Sequence, residues 1–593
     1  MQDRGLAIDT ADAADVADGL ELADASLARA REQLDGDPVI RVLGVLPVIG
    51  TQLSATDGMV DGARAVTAER ARIAVLVGEF IVARDAGEGP ERMAALVRFL
   101  GTRQAEIAGV VAAVEEADAT ISRIEVDGLI GPVASAHEAL TTRLEQVRPL
   151  VDAAQQAAPV LPGILGVGGE RRYLMMALDN AEIRPIGGLI AAYATPRFTD
   201  GLLTDTTFHD IGDIDRADQA EYVTPPDPLI DHLLGDTTTW QVADAGWWPD
   251  FADSAAEARR MFQIETGDAN LQGAIAFTPE FVDSLLEIVG PVEVPEAGIT
   301  VHPGETYLVS LEQVEVLNQG EGRKQFLADL ASQVLDRLFA LPPERYPEVI
   351  AALDDAGKRR HLQMIVDDPA AQQLLTGMGW YTPFAFPEDG DRLAIMEANV
   401  NPVSKMNVLV DMEHELDVTL LPDGTAEERL VTRWTNRYGP ELSPELERVR
   451  STFLGGFLGS FHRRYLDPEA EIDAVSSDHP EVPITDPGYV EDEPGGLSVG
   501  NYQLIEPGTT TLTTVYFVPD VVIPGDGPGH GIYRLHFYKQ PGRDNDTMTI
   551  RVSVPDGAVP VSWSPGGAMD DGVVTFTFTT EFDQTLEVTF ERS

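Results

Sequence analysis

The spacing of apolar residues changes twice along the chain, and each spacing permits a different kind of fold. In residues 1–160 apolar residues recur at steps of four and three, as in Val16, Leu20, Ala23, Leu27, Ala30 and Leu34. This repeat forms the seam along which helices pack. From Lys405 onward the step falls to two, as in Ile550, Val552 and Val554, which is typical of strands with one buried face.

The stretch between these two patterns mixes strand-like and helix-like segments. With 593 residues the chain is also too long for one hydrophobic core. We therefore predict a multidomain α+β protein with four parts. These are a helical stalk or bundle at 1–160, a mixed α/β domain at 161–401, a β-sandwich module at 402–525 and a C-terminal β module at 526–593.

Charge and composition exclude several classes of function. The formal net charge is −56, from 98 acidic against 42 basic residues, so the surface as a whole repels nucleic acid. There is no cysteine, which excludes disulfides, thiolate catalysis and cysteine-ligated zinc. No stretch reaches the ~20 apolar residues that a membrane-spanning helix needs. The usual metalloprotease and serine-hydrolase motifs are not found in the sequence either.

The most informative segment is Glu170–Tyr193, in which two apolar runs flank a polar turn. The runs at Tyr173–Leu178 and Leu189–Tyr193 are predicted to be buried strands. The turn, called the knuckle below, spans residues 179–188 and contains Asp179, Asn180, Glu182, Arg184, Gly187 and Gly188. Polar side chains at a strand end often form a binding site. The alternative is a hairpin in which Arg184 pairs with Glu182 or Asp179.

This segment carries a resemblance. Arg-Arg-Tyr-Leu followed by Asp-Asn-Ala-Glu-Ile-Arg-Pro-Ile-Gly-Gly is similar to the signature of the bacterial domain-of-unknown-function family 4012. Three further motifs follow in the expected order: Trp248–Phe251, Gly290–Val292 and Lys539–Gly542. The family has no settled activity, but its members generally have a membrane-spanning helix before their helical region. The resemblance therefore implies a cell-envelope protein outside the cytoplasm, anchored by a helix upstream of Met1.

Two groups of charged residues could bind ligands. Aspartates at 205, 210, 213 and 215 suit a hard cation such as Mg²⁺, and we name Asp210 and Asp213 as candidate ligands; the alternative is a solvated acidic loop. Arginines 171, 172, 184 and 197, with Arg323 and Lys324, form the basic group. Arg323 and Lys324 precede a predicted helix, whose N-terminus favours an anion. The alternative is that each cation pairs with a nearby carboxylate.

The order of elements in the middle domain also resembles that of the LytR–CpsA–Psr family of glycopolymer transferases. In that family arginines hold the pyrophosphate of a polyprenyl-linked glycan and acidic residues hold Mg²⁺. The resemblance extends to Arg184, Arg323, Lys324 and Gln325, and with Arg172 these are our candidate residues for binding a pyrophosphate. We expect Arg184 and Arg323 to line one cleft.

Two classes of function therefore stay open. One is an envelope protein that binds or transfers a polyprenyl-pyrophosphate-linked glycopolymer, with a polyprenyl-phosphate lipid or a cell-wall glycan as its partner. The other is a non-catalytic structural or adhesive protein of the cell surface. Convergence of the arginines in one pocket would favour the first, and individually paired arginines would favour the second.

Overall fold

The computed structural model describes residues 10–36, 47–87, 89–215, 224–234, 240–317, 325–342, 345–479, 488–525 and 529–592. Helices come first, a mixed α/β region follows, and strands form the C-terminal part, as the sequence predicts. The longer helices are Thr10–Gly36 (α1), Pro47–Ala68 (α2), Arg70–Arg84 (α3), Pro90–Thr102 (α4), Gln104–Ser122 (α5), Gly131–Ile164 (α6), Phe251–Thr266 (α7), Pro279–Val289 (α8), Thr306–Leu311 (α9), Gln325–Phe339 (α10), Tyr346–Lys358 (α11), Pro369–Met378 (α12) and Pro444–Arg448 (α13).

The N-terminal region is a bundle in which α1 packs on α2 and α3, α2 on α5, and both α4 and α5 on α6. The six apolar seam residues of α1 are all partly buried, while most of their neighbours face solvent. Close packing requires a small residue at Gly62, because a Cβ atom there would lie 2.9 Å from Ile121. None of the described helices is both long and apolar enough to span a membrane.

The α/β domain is built on a five-stranded sheet in the order β10-β7-β2-β3-β6. Strands β2 and β7 are parallel and the other pairs antiparallel. A three-stranded sheet, β1-β4-β5, and a hairpin, β8-β9, complete it. The strands are Arg171–Arg172 (β1), Leu174–Asp179 (β2), Leu189–Ala194 (β3), Arg197–Thr199 (β4), Leu202–Thr204 (β5), His209–Asp210 (β6), Gly273–Phe277 (β7), Val292–Val294 (β8), Ile299–Val301 (β9) and Leu362–Val366 (β10).

Two sheets of eight and seven strands form the C-terminal sandwich around one apolar core. Their strands are Asp391–Val400 (β11), Val410–Leu420 (β12), Ala426–Asn436 (β13), Leu458–Leu466 (β14), Glu471–Ser477 (β15), Tyr489–Glu493 (β16), Gly496–Ile505 (β17), Gly508–Val518 (β18), Val522–Pro524 (β19), His530–Tyr538 (β20), Thr547–Ser553 (β21), Ala558–Trp563 (β22), Gly567–Asp570 (β23), Val573–Thr579 (β24) and Gln584–Arg592 (β25).

Both sheets run across the predicted module boundary at residue 525. One sheet places β14 and β17 beside β11, β20 and β25, and in the other β12 lies parallel to β21. Strand β11, which the sequence analysis places within the α/β domain, belongs to the sandwich, where it pairs with β14 and β20. Its pairing partners lie far along the chain, so a local pattern of apolar residues does not reveal them.

Candidate functional site

A cavity of about 330 Å³ lies in the α/β domain where β2 ends. Most of its wall is apolar and comes from β2, β3, α8, α9, α10 and the turns beside them. Its lining residues are Ala177, Leu178, Asp179, Glu182, Leu189, Ala191, Phe208, Ile211, Phe277, Pro279, Val282, Thr306, Tyr307, Ser310, Leu311, Val314, Glu315, Leu327, Leu330, Ala331 and Lys405. The volume is at the lower end of the range for ligand pockets, about 300–1,000 Å³.

The carboxyl end of β2 supplies one polar part of this wall. Lys405, which precedes the sandwich strand β12, places its Nζ 2.6 Å from Asp179 Oδ2 and 2.7 Å from Glu182 Oε1. Burial opposes the charge of this lysine, but the two carboxylates outweigh that effect and raise its pKa well above the usual value. The ammonium group is therefore charged, and its charge is shared by two acids of the knuckle.

Helix α9 supplies a second polar part. The hydroxyl groups of Tyr307 and Ser310 are buried and have no hydrogen-bond partner within the described part of the chain. Burial, reinforced by the negative charges of Asp179 and Glu182, raises the pKa of Tyr307 well above its usual value, so this phenol is a neutral donor. Buried polar atoms normally have partners, and a hydroxyl that lines a cavity without one is suited to contact a ligand.

Further polar groups extend along the same edge of the sheet. Thr278 follows β7, and its hydroxyl lies 2.9 Å from His361 Nδ1, while His361 Nε2 lies 2.6 Å from Asp544 Oδ2. Asn180 donates to Glu280 Oε1 at 2.6 Å. Thr278 is fully buried, and Asp544 is also bound by cations of both domains, so we assign this chain of contacts to holding the α/β domain on the sandwich.

Two of the signature motifs meet at this domain boundary. A Cβ atom at Gly542 would lie 2.4 Å from the carbonyl oxygen of Gly187, so the backbones of the knuckle and of the Lys539–Gly542 turn are in direct contact. The side chain of Gln540 donates to the carbonyl oxygens of Arg184 and Glu397 and accepts from the amide of Glu397. The two motifs, although distant in sequence, therefore join the α/β domain to the sandwich.

Arg184 is a structural residue of this boundary. It is 1% exposed, and its guanidinium donates to Asp244 Oδ1 at 2.7 and 3.1 Å and to the carbonyl oxygens of Ile183 and Asn399. It is not among the described residues that line the cavity. The hairpin alternative predicts that Arg184 pairs with Glu182 or Asp179. Both of these carboxylates are bound by Lys405 instead.

Arg172 lies far from the knuckle. The chain is nearly extended over the seven steps from Arg172 to Asp179, which correspond to about 23 Å. Its guanidinium is paired with Asp268 at 2.8 Å, and Arg197 is paired with Glu170 and Asp205. Arg172, Arg184 and Arg197, three of the four described arginines that the sequence analysis groups with Arg323, are thus paired separately and do not converge.

The remaining predicted anion-binding residues adjoin the cavity in sequence. Arg323 and Lys324 lie outside the described residues. The predicted approach of Arg323 to Arg184 therefore stays a prediction. Gln325 is the first residue of α10, and its side chain is likewise outside the description. Leu327, Leu330 and Ala331 of the same helix line the cavity.

The acidic segment caps two turns. Asp210 accepts from the amide of Gly212 at 3.0 Å, and Asp213 is exposed. Asp215 accepts from the amides of Val242 and Ala243, and burial raises its pKa to about 6. Among the residues that the structure describes, no three histidines or acids lie close enough together to hold a metal ion, and metal binding by Asp210 and Asp213 stays a prediction.

Sequence reasoning missed Lys405, Tyr307 and Ser310. Lysine is rare in this chain, with four residues in all, so an isolated lysine just before the strand pattern that starts near residue 405 was a usable signal. Tyr307 and Ser310 have the spacing of one helix face, which is as typical of a core as of a site. Only the tertiary structure shows that both residues line a cavity and that their hydroxyls have no partner among the described residues.

The chain has remote similarity to solved structures. It resembles an M1 zinc metallopeptidase of Deinococcus radiodurans in complex with a Tyr-Ser-Ala substrate, with 14% identity and a TM-score of 0.17 over 35% of this chain and 44% of that chain. It also resembles a putative protease of Parabacteroides distasonis, with 14% identity and a TM-score of 0.17 over 31% of this chain and 40% of that chain. The match therefore spans less than half of either protein.

No curated protein matches the chain. One family model does, over a segment that contains the knuckle, β7, α8 and α9. The resemblance to family 4012 is thereby confirmed for that segment: residues 168–314 match the family described as "Protein of unknown function (DUF4012)".

Proposed function

We propose that this is an extracytoplasmic, membrane-anchored protein of the cell envelope whose α/β domain binds the hydrocarbon chain of a polyprenyl lipid. The observation that carries the proposal is the apolar cavity at the end of β2, beside the knuckle. Apolar walls with a few placed polar groups are characteristic of sites for amphiphilic ligands. The carboxyl edge of the parallel strands is also where α/β domains commonly bind ligands.

Transfer of a pyrophosphate-linked glycopolymer, as in the LytR–CpsA–Psr family, has less support. It would need cations to hold the pyrophosphate, and Arg172 and Arg184 are each committed to a carboxylate. This activity then depends on Arg323, Lys324 and Gln325, which come directly before the cavity-lining part of α10. Mg²⁺-dependent binding of farnesyl pyrophosphate that is lost in an Arg323→Ala, Lys324→Ala variant would support it.

The second candidate function is a non-catalytic structural or adhesive protein of the cell surface. The separate pairing of Arg172, Arg184 and Arg197 favours it. In this case the helical bundle and the sandwich would serve as spacer and contact surface. The cavity would then have no ligand, so chain binding separates the two candidates.

The test uses two matched variants of α10. Ala331 lines the cavity, so Ala331→Trp should fill part of it, whereas Ser332 of the same helix is exposed, so Ser332→Trp adds the same side chain outside it. We expect isothermal titration to show farnesol binding to the wild type and to Ser332→Trp, with affinity reduced at least tenfold in Ala331→Trp. Equal affinities in the two variants, or no binding by the wild type, would contradict chain binding in this cavity.

Anchoring and location need a separate experiment. We expect the full-length protein, in its own host, to fractionate with membranes. We also expect it to be cleaved by protease added to cells whose outer layers are permeabilised but whose cytoplasmic membrane is intact. Recovery in the soluble cytoplasmic fraction, protected from that protease, would contradict an extracytoplasmic location.

A further inference from the structure

The charge of the cavity wall restricts which ligands can bind there. At the end of β2, the lining residues Asp179 and Glu182 are acidic and the lining residue Lys405 is basic, which is two negative charges against one positive charge. The ammonium of Lys405 lies within 2.7 Å of both knuckle carboxylates, so its charge is already balanced. A ligand group that lies against this wall therefore meets excess negative charge. The site is partly dehydrated, so attraction and repulsion between charges are stronger there than in water.

We propose that the cavity binds its ligand through an uncharged hydroxyl end, accepts an amine in the same place, and excludes a phosphate ester. This inference rests on the proposed function, since it specifies the class of amphiphile that the cavity takes. It concerns the end of the ligand that lies against Lys405, Tyr307 and Ser310.

The two free hydroxyls are the groups that would contact a ligand hydroxyl. Tyr307 and Ser310 are buried without partners in the described structure, and each can donate one hydrogen bond and accept another. An alcohol has the same capacity, so it can satisfy both groups without bringing a charge into the site. A phosphate offers only acceptors apart from any bound proton, and two neutral hydroxyls do not offset its charge.

The nearby glutamate explains why an amine should also be accepted. Oε1 of the Glu280 carboxylate accepts a hydrogen bond from the side-chain amide of Asn180. The other oxygen, Oε2, is buried and has no hydrogen-bond partner in the described residues. Glu280 adjoins Pro279, which lines the cavity, and its charge acts on Tyr307. An ammonium group is attracted by the same carboxylates that repel a phosphate.

Three ligands that share the same farnesyl chain and differ only in their polar end test this inference: farnesol, farnesylamine and farnesyl phosphate. By isothermal titration we expect the alcohol and the amine to bind the wild type, and the phosphate to bind at least tenfold more weakly than the alcohol. In Glu182→Gln, which removes one negative charge and leaves Lys405 with a single carboxylate partner, the phosphate should gain at least tenfold relative to farnesol. Glu293→Gln is the control, because Glu293 is an exposed residue of β8 that is not among the described lining residues.

The outcomes are distinguishable. If the phosphate binds the wild type as tightly as farnesol does, the inference is wrong while chain binding stands. An unchanged ratio in Glu182→Gln, with the variant folded by circular dichroism, would overturn the assignment of the polar end to this wall. If none of the three ligands binds, both the inference and the proposed function fail.

Discussion

The contact between Gly187 and Gly542 gives the sharpest prediction about how the two domains are joined. Gly542 has a φ of +74°, and an added Cβ atom would lie 2.4 Å from Gly187 O and 2.9 Å from Gly187 Cα. An alanine there incurs two costs. The left-handed backbone costs about 1–2 kcal/mol for a residue with a Cβ atom, and displacement of tightly packed backbone costs about 1–3 kcal/mol more.

A matched glycine separates these two costs. Gly572, in the turn between β23 and β24, has a φ of +81°, but no atom lies within 4 Å of its added Cβ. Gly572→Ala should therefore lower the free energy of unfolding by only about 1–2 kcal/mol. Gly542→Ala should lower it by about 2–5 kcal/mol, the sum of both costs.

The assay is guanidinium unfolding followed by tryptophan fluorescence, because Trp247 and Trp434 are buried in the α/β domain and in the sandwich, respectively. Hydrogen exchange should also rise in Gly542→Ala at the amides of residues 186–190, which lie across the contact. If the two alanine variants were equally stable and exchanged alike, the backbones of the two motifs would not be packed together as described.

Three further predictions concern buried charges. Asp244→Ala should lower the free energy of unfolding by about 3–5 kcal/mol, because it leaves Arg184 buried without a counter-charge; equal stability of this variant and the wild type in urea unfolding would contradict the pairing. Replacing both residues, as Arg184→Met with Asp244→Leu, should cost less than Asp244→Ala alone, as a double-mutant cycle would show. Burial and the adjacent Asp391 raise the pKa of Glu428 well above its usual value, so the folded state retains a proton that the unfolded state loses. The stability of the wild type should then fall as pH rises from the ordinary glutamate pKa toward the raised one, and Glu428→Gln should reduce this fall when unfolding is measured across that range.

The local elements of the α/β domain could be predicted from the sequence. The apolar runs at Tyr173–Leu178 and Leu189–Tyr193 became β2 and β3 within one or two residues at their ends. The knuckle lies at a strand end beside the cavity, as its polar composition suggests. These features depend on neighbours in sequence, for which apolar spacing and turn residues are sufficient.

Charge pairing could not be predicted, because the partners are distant. Arg184 pairs with Asp244, 60 residues away, and Asp179 with Lys405, 226 residues away. Asp179 and Glu182 are nearer to Arg184 in sequence, but the chain turns so that its guanidinium points into the domain boundary. Without the fold, the choice between a cluster of arginines and separately paired arginines stays open.

The order of the strands in the two sandwich sheets could not be predicted from the sequence either. The step of two predicts strands, but it does not show that β11 pairs in parallel with β20, about 140 residues later. Such pairs are determined by the packing of both sheets on one core, which no local pattern encodes. The predicted boundary at residue 525 falls between β19 and β20, two strands that pair with each other in one sheet.

The most direct test of the central claim is an experimental electron-density map of the protein crystallised with farnesol. We predict continuous density for the chain between β2, α8 and α10, along Ala177, Val282 and Leu330, with the hydroxyl end within hydrogen-bonding distance of Tyr307 or Ser310. A well-ordered cavity that contains only water at saturating farnesol, or a chain bound elsewhere on the protein, would contradict the proposal.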